Sequence, residues 1–254
     1  MADTIDPLLD KYDYATDPLL MKYLHKWDRV YMGAMMSYAG GIGGFGMQMM
    51  AHQNRVAHDG ARFLKYMGYS DRAARNFRAA MLFHDMGKTH PTYNPMIWVL
   101  FERPSEDEKE HQKKHARLGA GMVQSLIDRC PELKNHPHMQ VRHSVTLYHH
   151  ERVDGRGPEH FMADRLPLFA QVSCIVDAYD GDLIPRPHQQ RQRTPREALR
   201  RMMVLDDQDR KYAGAFNIRL LQQFVKMKEE QLNIPTVDTG GSGLLGFLRF
   251  DKNR

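Results

Sequence analysis

Five short stretches of the sequence carry side chains that bind metal ions: His52, the pair His84-Asp85, His115, the pair His149-His150, and Asp177. Imidazole nitrogen and carboxylate oxygen suit iron, manganese or zinc. The lack of a cysteine among these ligands argues against a structural zinc site. An aspartate between helices can bridge two ions, the arrangement that two-metal hydrolytic chemistry uses. Any single histidine of the 14 in the chain reads more simply as a satisfied core residue. Seven metal-competent residues on five elements do not, because buried polar groups need partners. The doubled histidine with Glu151 beside it is the pattern least expected by chance.

Helices must position these groups. Ser70 is placed to cap a helix, after which Ala73, Phe77, Ala80 and His84 recur at helical spacing. Further stripes run through His115, Leu118, Met122 and Leu126, then Val141, Val145, Tyr148 and His149. Leu166, Phe169, Ser173 and Val176 form the next, with Asp177 beside it, and Phe216, Leu220, Phe224 and Met227 form the last. No period-2 alternation bounded by hairpin turns occurs, so the class is all-α. The sequence divides into a helical leader over 1–46 closed by a glycine-rich hinge, a body over 47–232, and a flexible tail over 233–254 with an apolar end. Pro235 marks the end of the body, since it donates no backbone hydrogen bond and turns Ile234 away from helix. The hinge stretch Gly41-Ile42-Gly43-Gly44-Phe45-Gly46 matches a dinucleotide fingerprint by letter, but no strand precedes it. It reads as a chance match.

Hydrophobic residues make up 42% and charged residues 26% of the 254, which excludes bulk disorder. Tyr31 to Ala51 contains no charge, yet it holds six glycines and no Leu or Val, so it reads as soluble helix and no membrane span is expected. Two cysteines, Cys130 and Cys174, are too few for a disulfide framework, and the acidic N-terminal segment has no apolar core, so a cytoplasmic protein is expected. The net charge of +5 is mild. Six arginines between positions 186 and 201 form a basic rim suited to phosphate, with Thr194, Pro195 and Glu197 reading as a helix start. No aromatic residues interleave with them, which argues against nucleic acid.

The ordered motifs His52-Gln53-Asn54-Arg55, His84-Asp85-Met86-Gly87-Lys88, Lys114-His115 with Gly119, His149-His150-Glu151 with Asp154-Gly155 and Gly157-Pro158, Asp177 with Asp180, and Arg186-Pro187 resemble an HD-GYP domain. This is a branch of the HD metal-dependent phosphohydrolase superfamily that hydrolyses cyclic-di-GMP. The resemblance covers roughly residues 47 to 230 and implies an HD-type helical bundle. It implies that His52, His84, Asp85, His115, His149, His150 and Asp177 ligate two divalent ions, iron first and manganese, nickel or zinc as alternatives. Asp85 would bridge, with His52, His84 and Asp177 toward one ion and the remaining histidines toward the other. Lys88 and Arg186 would contact phosphate, and His188 stands within reach of a substrate.

The activity implied is hydrolysis of a cyclic dinucleotide or another phosphodiester by a metal-bridging hydroxide. Two rivals are a weakly catalytic cyclic-dinucleotide receptor and an HD-type di-iron oxygenase. The leader or tail is the expected contact for a second copy or a signalling partner. This sequence departs from the family pattern in four places. No tyrosine stands between Gly157 and Pro158, and position 48 is Gln where three-metal members carry Glu. His188-Gln189 replace an aromatic and a base, and Thr89 to Pro95 form an irregular proline-containing loop. Two ions rather than three, and a loosened grip on cyclic-di-GMP, are expected.

Overall fold

The structure, a computed structural model, describes residues 7–38, 45–98, 104–185, 191–205 and 210–234. Among them are eight α-helices and no strand, only an isolated bridge between Asp154 and Met162. The helices are α1 (His25–Tyr38), α2 (Phe45–Tyr66), α3 (Asp71–Met81), α4 (Glu106–Arg129), α5 (Pro137–Tyr148), α6 (Leu168–Leu183), α7 (Pro195–Met202) and α8 (Ile218–Leu232). The all-α expectation holds. No helix among the described residues is long and apolar enough to cross a membrane. Most of the glycine-rich hinge, the tail, Arg186 and His188 lie outside the described residues.

Local chemistry sets the helix starts. The Ser70 hydroxyl accepts the Ala73 N–H and so begins α3. Ser105 with Glu108, and Thr194 with Glu197, form reciprocal capping boxes on α4 and α7. The expected stripe on α3 is buried at Ala73, Phe77 and Ala80, but the helix ends at Met81. His84 therefore sits on a tight turn that follows the helix, not on its last coil. On α4 the buried face runs through His115, Gly119, Val123 and Leu126, while Leu118 and Met122 are only half-buried.

Two apolar clusters build the core. Val56, Phe63, Phe77, Val141, Val145, Phe169, Val176 and Phe224 belong to the larger, drawn from α2, α3, α5, α6 and α8. Leu20, Leu24, Tyr31, Met35, Met49, Val123, Leu133 and Met139 belong to the second, which packs the leader against α2, α4 and α5. Met81 lies in the first cluster, and Phe83 and Met86 lie in the second. The His84-Asp85 pair thus falls on the seam between them.

A buried ion pair joins leader to body. The Arg142 guanidinium, with its side chain fully buried, donates to both oxygens of Asp28 at 2.5 and 2.9 Å. The Tyr14 hydroxyl donates to the same carboxylate at 2.5 Å. Removing one partner strands a buried charge, so Asp28→Ala should lower unfolding free energy by about 3–5 kcal/mol. Urea denaturation measures this, and a loss under about 1 kcal/mol would show the pair to be solvated in practice.

His138 is buried beside the same pair, and its Nδ1 faces the Tyr12 hydroxyl at 3.2 Å. Burial first, then the charges of Arg142, His136 and His25, hold its pKa well below the usual imidazole range. The folded protein keeps the ring neutral, whereas the unfolded chain protonates it near pH 6.5. Stability from this residue is complete above that pH and is lost as pH falls below it. Between pH 7.5 and 5.5 the wild type should lose about 1.4 kcal/mol more than His138→Phe. Parallel pH profiles for the two proteins would contradict this.

Candidate metal centre

All seven candidate ligands meet at the seam, and their side chains come from four helices and one turn. His52 comes from the buried side of α2, His84 and Asp85 from the turn after α3, His115 from α4, His149 and His150 from the end of α5, and Asp177 from α6. The turn can lie against α4 because two glycines face each other there. A Cβ on Gly87 would collide with the His115 carbonyl oxygen and lie 2.5 Å from Gly119 N. Only a residue without a side chain permits that approach. The His-Asp-x-Gly spacing therefore has a steric cause in this fold.

Asp85 occupies the middle. Its Oδ2 lies 3.5 Å from His52 Nε2 and 3.6 Å from His84 Nε2, while Asp177 Oδ1 lies 3.1 and 3.4 Å from the same two nitrogens. Its Oδ1 faces the other way, 3.0 Å from His115 Nε2 and 3.6 Å from His149 Nε2. His115 Nε2 in turn lies 3.0 Å from His149 Nε2 and 3.2 Å from His150 Nε2. Two groups of donor atoms, His52-His84-Asp85 and His115-His149-His150, are each close enough to hold a metal ion, with every atom within 4.8 Å of the others.

Ring orientation is set from behind. Nδ1–H of His84 donates to the Met81 carbonyl at 2.8 Å, that of His149 to the Val145 and Thr146 carbonyls at 3.1 and 2.9 Å, and that of His115 to the Gln112 carbonyl. Each bond places the proton on Nδ1 and turns the Nε2 lone pair toward the centre. His84 Nε2 is fully buried with no hydrogen-bond partner. Lone pairs converging on one point repel unless a cation lies between them, so the donor set fits divalent metal ions. No thiolate takes part: Cys174 is buried and directs its S–H to the Tyr148 carbonyl.

The electrostatics agree with ligation. Burial pushes His150 down to about 3 despite Asp177, and burial with neighbouring imidazoles holds His149 well below its usual value. These rings stay neutral, the form that binds metal. Burial opposes charge on Asp85 and Asp177, yet Lys88 with His84 for the first, and His52 with His84 for the second, keep both carboxyls well below the usual range. His52 differs: burial would lower it, but hydrogen bonds to Asp177 and Asp180 carry it up to about 9. A metal bound at that position would have to displace a proton.

Asp180, in the Asp177-Ala178-Tyr179-Asp180 stretch, joins the site although its motif alone gives it no role. Its Oδ2 accepts His52 Nδ1–H at 2.6 Å, and Arg55 grips both its oxygens at 2.6 and 2.9 Å. The signal was available as two matched spacings, His52 to Arg55 on α2 and Asp177 to Asp180 on α6, each placing two residues one turn apart on one face. Glu151 and Asp154 also act through backbone. Glu151, 2% exposed, accepts the N–H groups of Glu159 and Phe161, and a Cβ on Gly157 would lie 2.5 Å from its Oε2. Asp154 holds Arg152 and Arg156, whose guanidinium groups reach the Ala213 carbonyl at 2.6 and 3.0 Å. This motif closes the loop beyond the paired histidines. Arg186 and His188 fall outside the described residues, and Gln48 is exposed one turn before His52.

Asp180→Ala leaves both His52 Nδ1 and Arg55 without their acceptor. Loss of such a support should weaken metal affinity about 10–100-fold, read by competition with a chelator. Unchanged affinity would remove Asp180 from the centre.

The HD domain family model matches residues 49–182. The cyclic di-GMP phosphodiesterase response regulator RpfG of Xanthomonas campestris pv. campestris is 28% identical over 141 residues, covering 55% of this chain and 35% of that protein. A cyclic di-GMP phosphodiesterase of Thermotoga maritima is 23% identical over 185 residues, covering 72% of this chain and 46% of that protein. The chain thus spans between a third and a half of the length of these relatives. Among solved structures, Bd1817, a HDG"Y"P protein from Bdellovibrio bacteriovorus, superposes with a TM-score of 0.54 at 17% identity, over 73% of this chain and 52% of that one, a likeness of fold. The matched segment is more than half of the sequence and encloses every residue that converges on Asp85, and on that ground the chain belongs to the HD domain family.

Proposed function

We propose that this protein is a two-metal phosphodiesterase acting on a cyclic dinucleotide or a related phosphodiester. The observation that supports it best is the shared carboxylate, with Asp85 Oδ2 turned to His52 and His84 and Oδ1 to His115 and His149. One lobe would comprise His52, His84, Asp177 and Asp85, and the other His115, His149, His150 and Asp85. Bound there, divalent ions supply Lewis acidity toward phosphoryl oxygen and lower the pKa of water to a range useful for attack. Nitrogen and oxygen donors of this kind accept iron, manganese, nickel or zinc. The neutral Gln48, exposed and one turn from His52, adds no carboxylate for a third ion.

The chain's own groups do the rest. Asp177 and Asp85 hold negative charge in a buried site. The Nδ1 bonds to Met81, Gln112, Val145 and Thr146 keep the His84, His115 and His149 rings from rotating. Lys88, 7% exposed, brings an ammonium to 2.5 Å from Asp85 Oδ2, where it can meet a phosphoryl oxygen. The cyclic-dinucleotide class draws on the activities for which the two relatives are named, and on the basic segment around Arg186, Arg191 and Arg193.

The test combines elemental analysis with hydrolysis of bis(p-nitrophenyl) phosphate and cyclic-di-GMP. The wild type should carry two ions per chain and cleave at least the generic diester. Asp85→Asn should lose metal and activity together and melt about 5–10 °C lower, because metal bound only by the folded state stabilises it. Wild-type metal content in that variant would refute the bridging role, and three ions in the wild type would refute the stoichiometry.

A further inference from the structure

Downstream of the Lys88 turn, Tyr93 and Trp98 form a hydrogen-bonded aromatic pair beside the Lys88 ammonium. Lys88 Nζ lies 4.2 Å from the centre of the Trp98 ring, while its other contact is Asp85 Oδ2 at 2.5 Å. The ammonium is therefore held between a carboxylate and an indole face, nearly out of water. A lysine carries four rotatable side-chain bonds, so two opposed contacts are needed to fix its head in one place. Cation–π attraction grows as water is excluded, which is the condition here.

Trp98 is itself fixed. Its Nε1–H donates to the Tyr93 hydroxyl at 2.6 Å, and that hydroxyl donates to the Gln112 carbonyl at 3.2 Å. The same carbonyl accepts Nδ1–H of His115. Gln112 Nε2 returns a bond to the Ile97 carbonyl at 3.3 Å, and the Tyr93 ring stacks on His111 with 5.2 Å between ring centres. The segment from Tyr93 to Trp98 is thus strapped to the turn of α4 that presents His115.

Taking the phosphodiesterase reading as its basis, we propose that Trp98 is a positioning residue whose indole face, anchored through Tyr93 to α4, holds the Lys88 ammonium where a phosphoryl oxygen is received. Trp98 acts through Lys88 and not on substrate. Its loss should lower turnover without removing metal, and only while Lys88 is present.

A double-mutant cycle on the metal-loaded full chain tests this, with bis(p-nitrophenyl) phosphate as substrate and metal content measured for each protein. Trp98→Leu should keep wild-type metal content and lower kcat/KM about 3- to 30-fold, the range of one cation–π contact. Trp98→Phe, which retains an aromatic face, should recover most of that loss. In a Lys88→Met background, Trp98→Leu should cost less than about twofold. Wild-type kcat/KM in Trp98→Leu overturns the proposal, and so does an equal loss in the Lys88→Met background, since that marks a purely structural role.

A spectroscopic arm needs no turnover. The chain has two tryptophans, so in Trp27→Phe protein the emission comes from Trp98 alone. Lys88→Met should change its intensity or wavelength, and an unchanged spectrum overturns the contact. Should the wild type hydrolyse no phosphodiester while this emission still responds to Lys88→Met, the phosphodiesterase reading fails and the Lys88–Trp98 contact stands.

Discussion

One buried carboxylate organises this molecule. Asp85 lies 1% exposed at the junction of two apolar clusters, surrounded by four imidazoles and an ammonium. A lone carboxylate in such surroundings would neutralise or unfold its neighbourhood. Here each of its oxygens faces a separate group of nitrogen donors. Everything nearby can be read as a means of keeping that arrangement: the tight turn that aims Asp85, the glycine contact that lets the turn meet α4, and the backbone carbonyls that orient His84, His115 and His149.

The supporting layer is built largely from main chain. Carbonyls of Met81, Gln112, Val145 and Thr146 accept the Nδ1 protons, and all lie at or near helix C-terminal turns or one turn before the histidine they hold. Backbone acceptors of this kind do not depend on side-chain identity. Two histidines differ: His52 looks to a side chain, Asp180, which is itself gripped by Arg55, and His150 turns its Nδ1 toward Asp177 Oδ2 at 3.6 Å. Three of the five imidazoles are therefore oriented by main chain, and His52 and His150 face carboxylates.

The leader is integrated with this body through chemistry remote from the centre. Leu20, Leu24 and Met35 pack with Phe83 and Met86, the residues on either side of the His84-Asp85 pair. The Asp28–Arg142 pair adds a buried tie from α1 to α5, the helix that ends in His149 and His150. The leader thus supplies apolar backing directly behind two of the metal-competent elements.

Much of this was legible in the sequence. Helical class followed from hydrophobic periodicity, and the α3 and α7 starts from caps whose donors and acceptors are a few residues apart, whereas the Ser105–Glu108 box that starts α4 is a finding of the structure. The candidate ligands that converge on Asp85 were legible because metal-competent types recur in a fixed order of short motifs, most of all His84-Asp85 and His149-His150-Glu151. Other features were invisible because they join distant residues through space. The stripe on α4 reads from Leu118 and Met122, yet the buried side passes through Gly119, because a backbone approach from Gly87 needs an absence of side chain that no hydrophobicity pattern records. Asp28 with Arg142 and Lys88 with Trp98 depend on which faces the chain brings together. Sequence alone determined which metal-competent residue types the chain carries and that helices position them. Tertiary structure decided which oxygen of Asp85 faces which histidines, since that follows from packing two clusters against one turn.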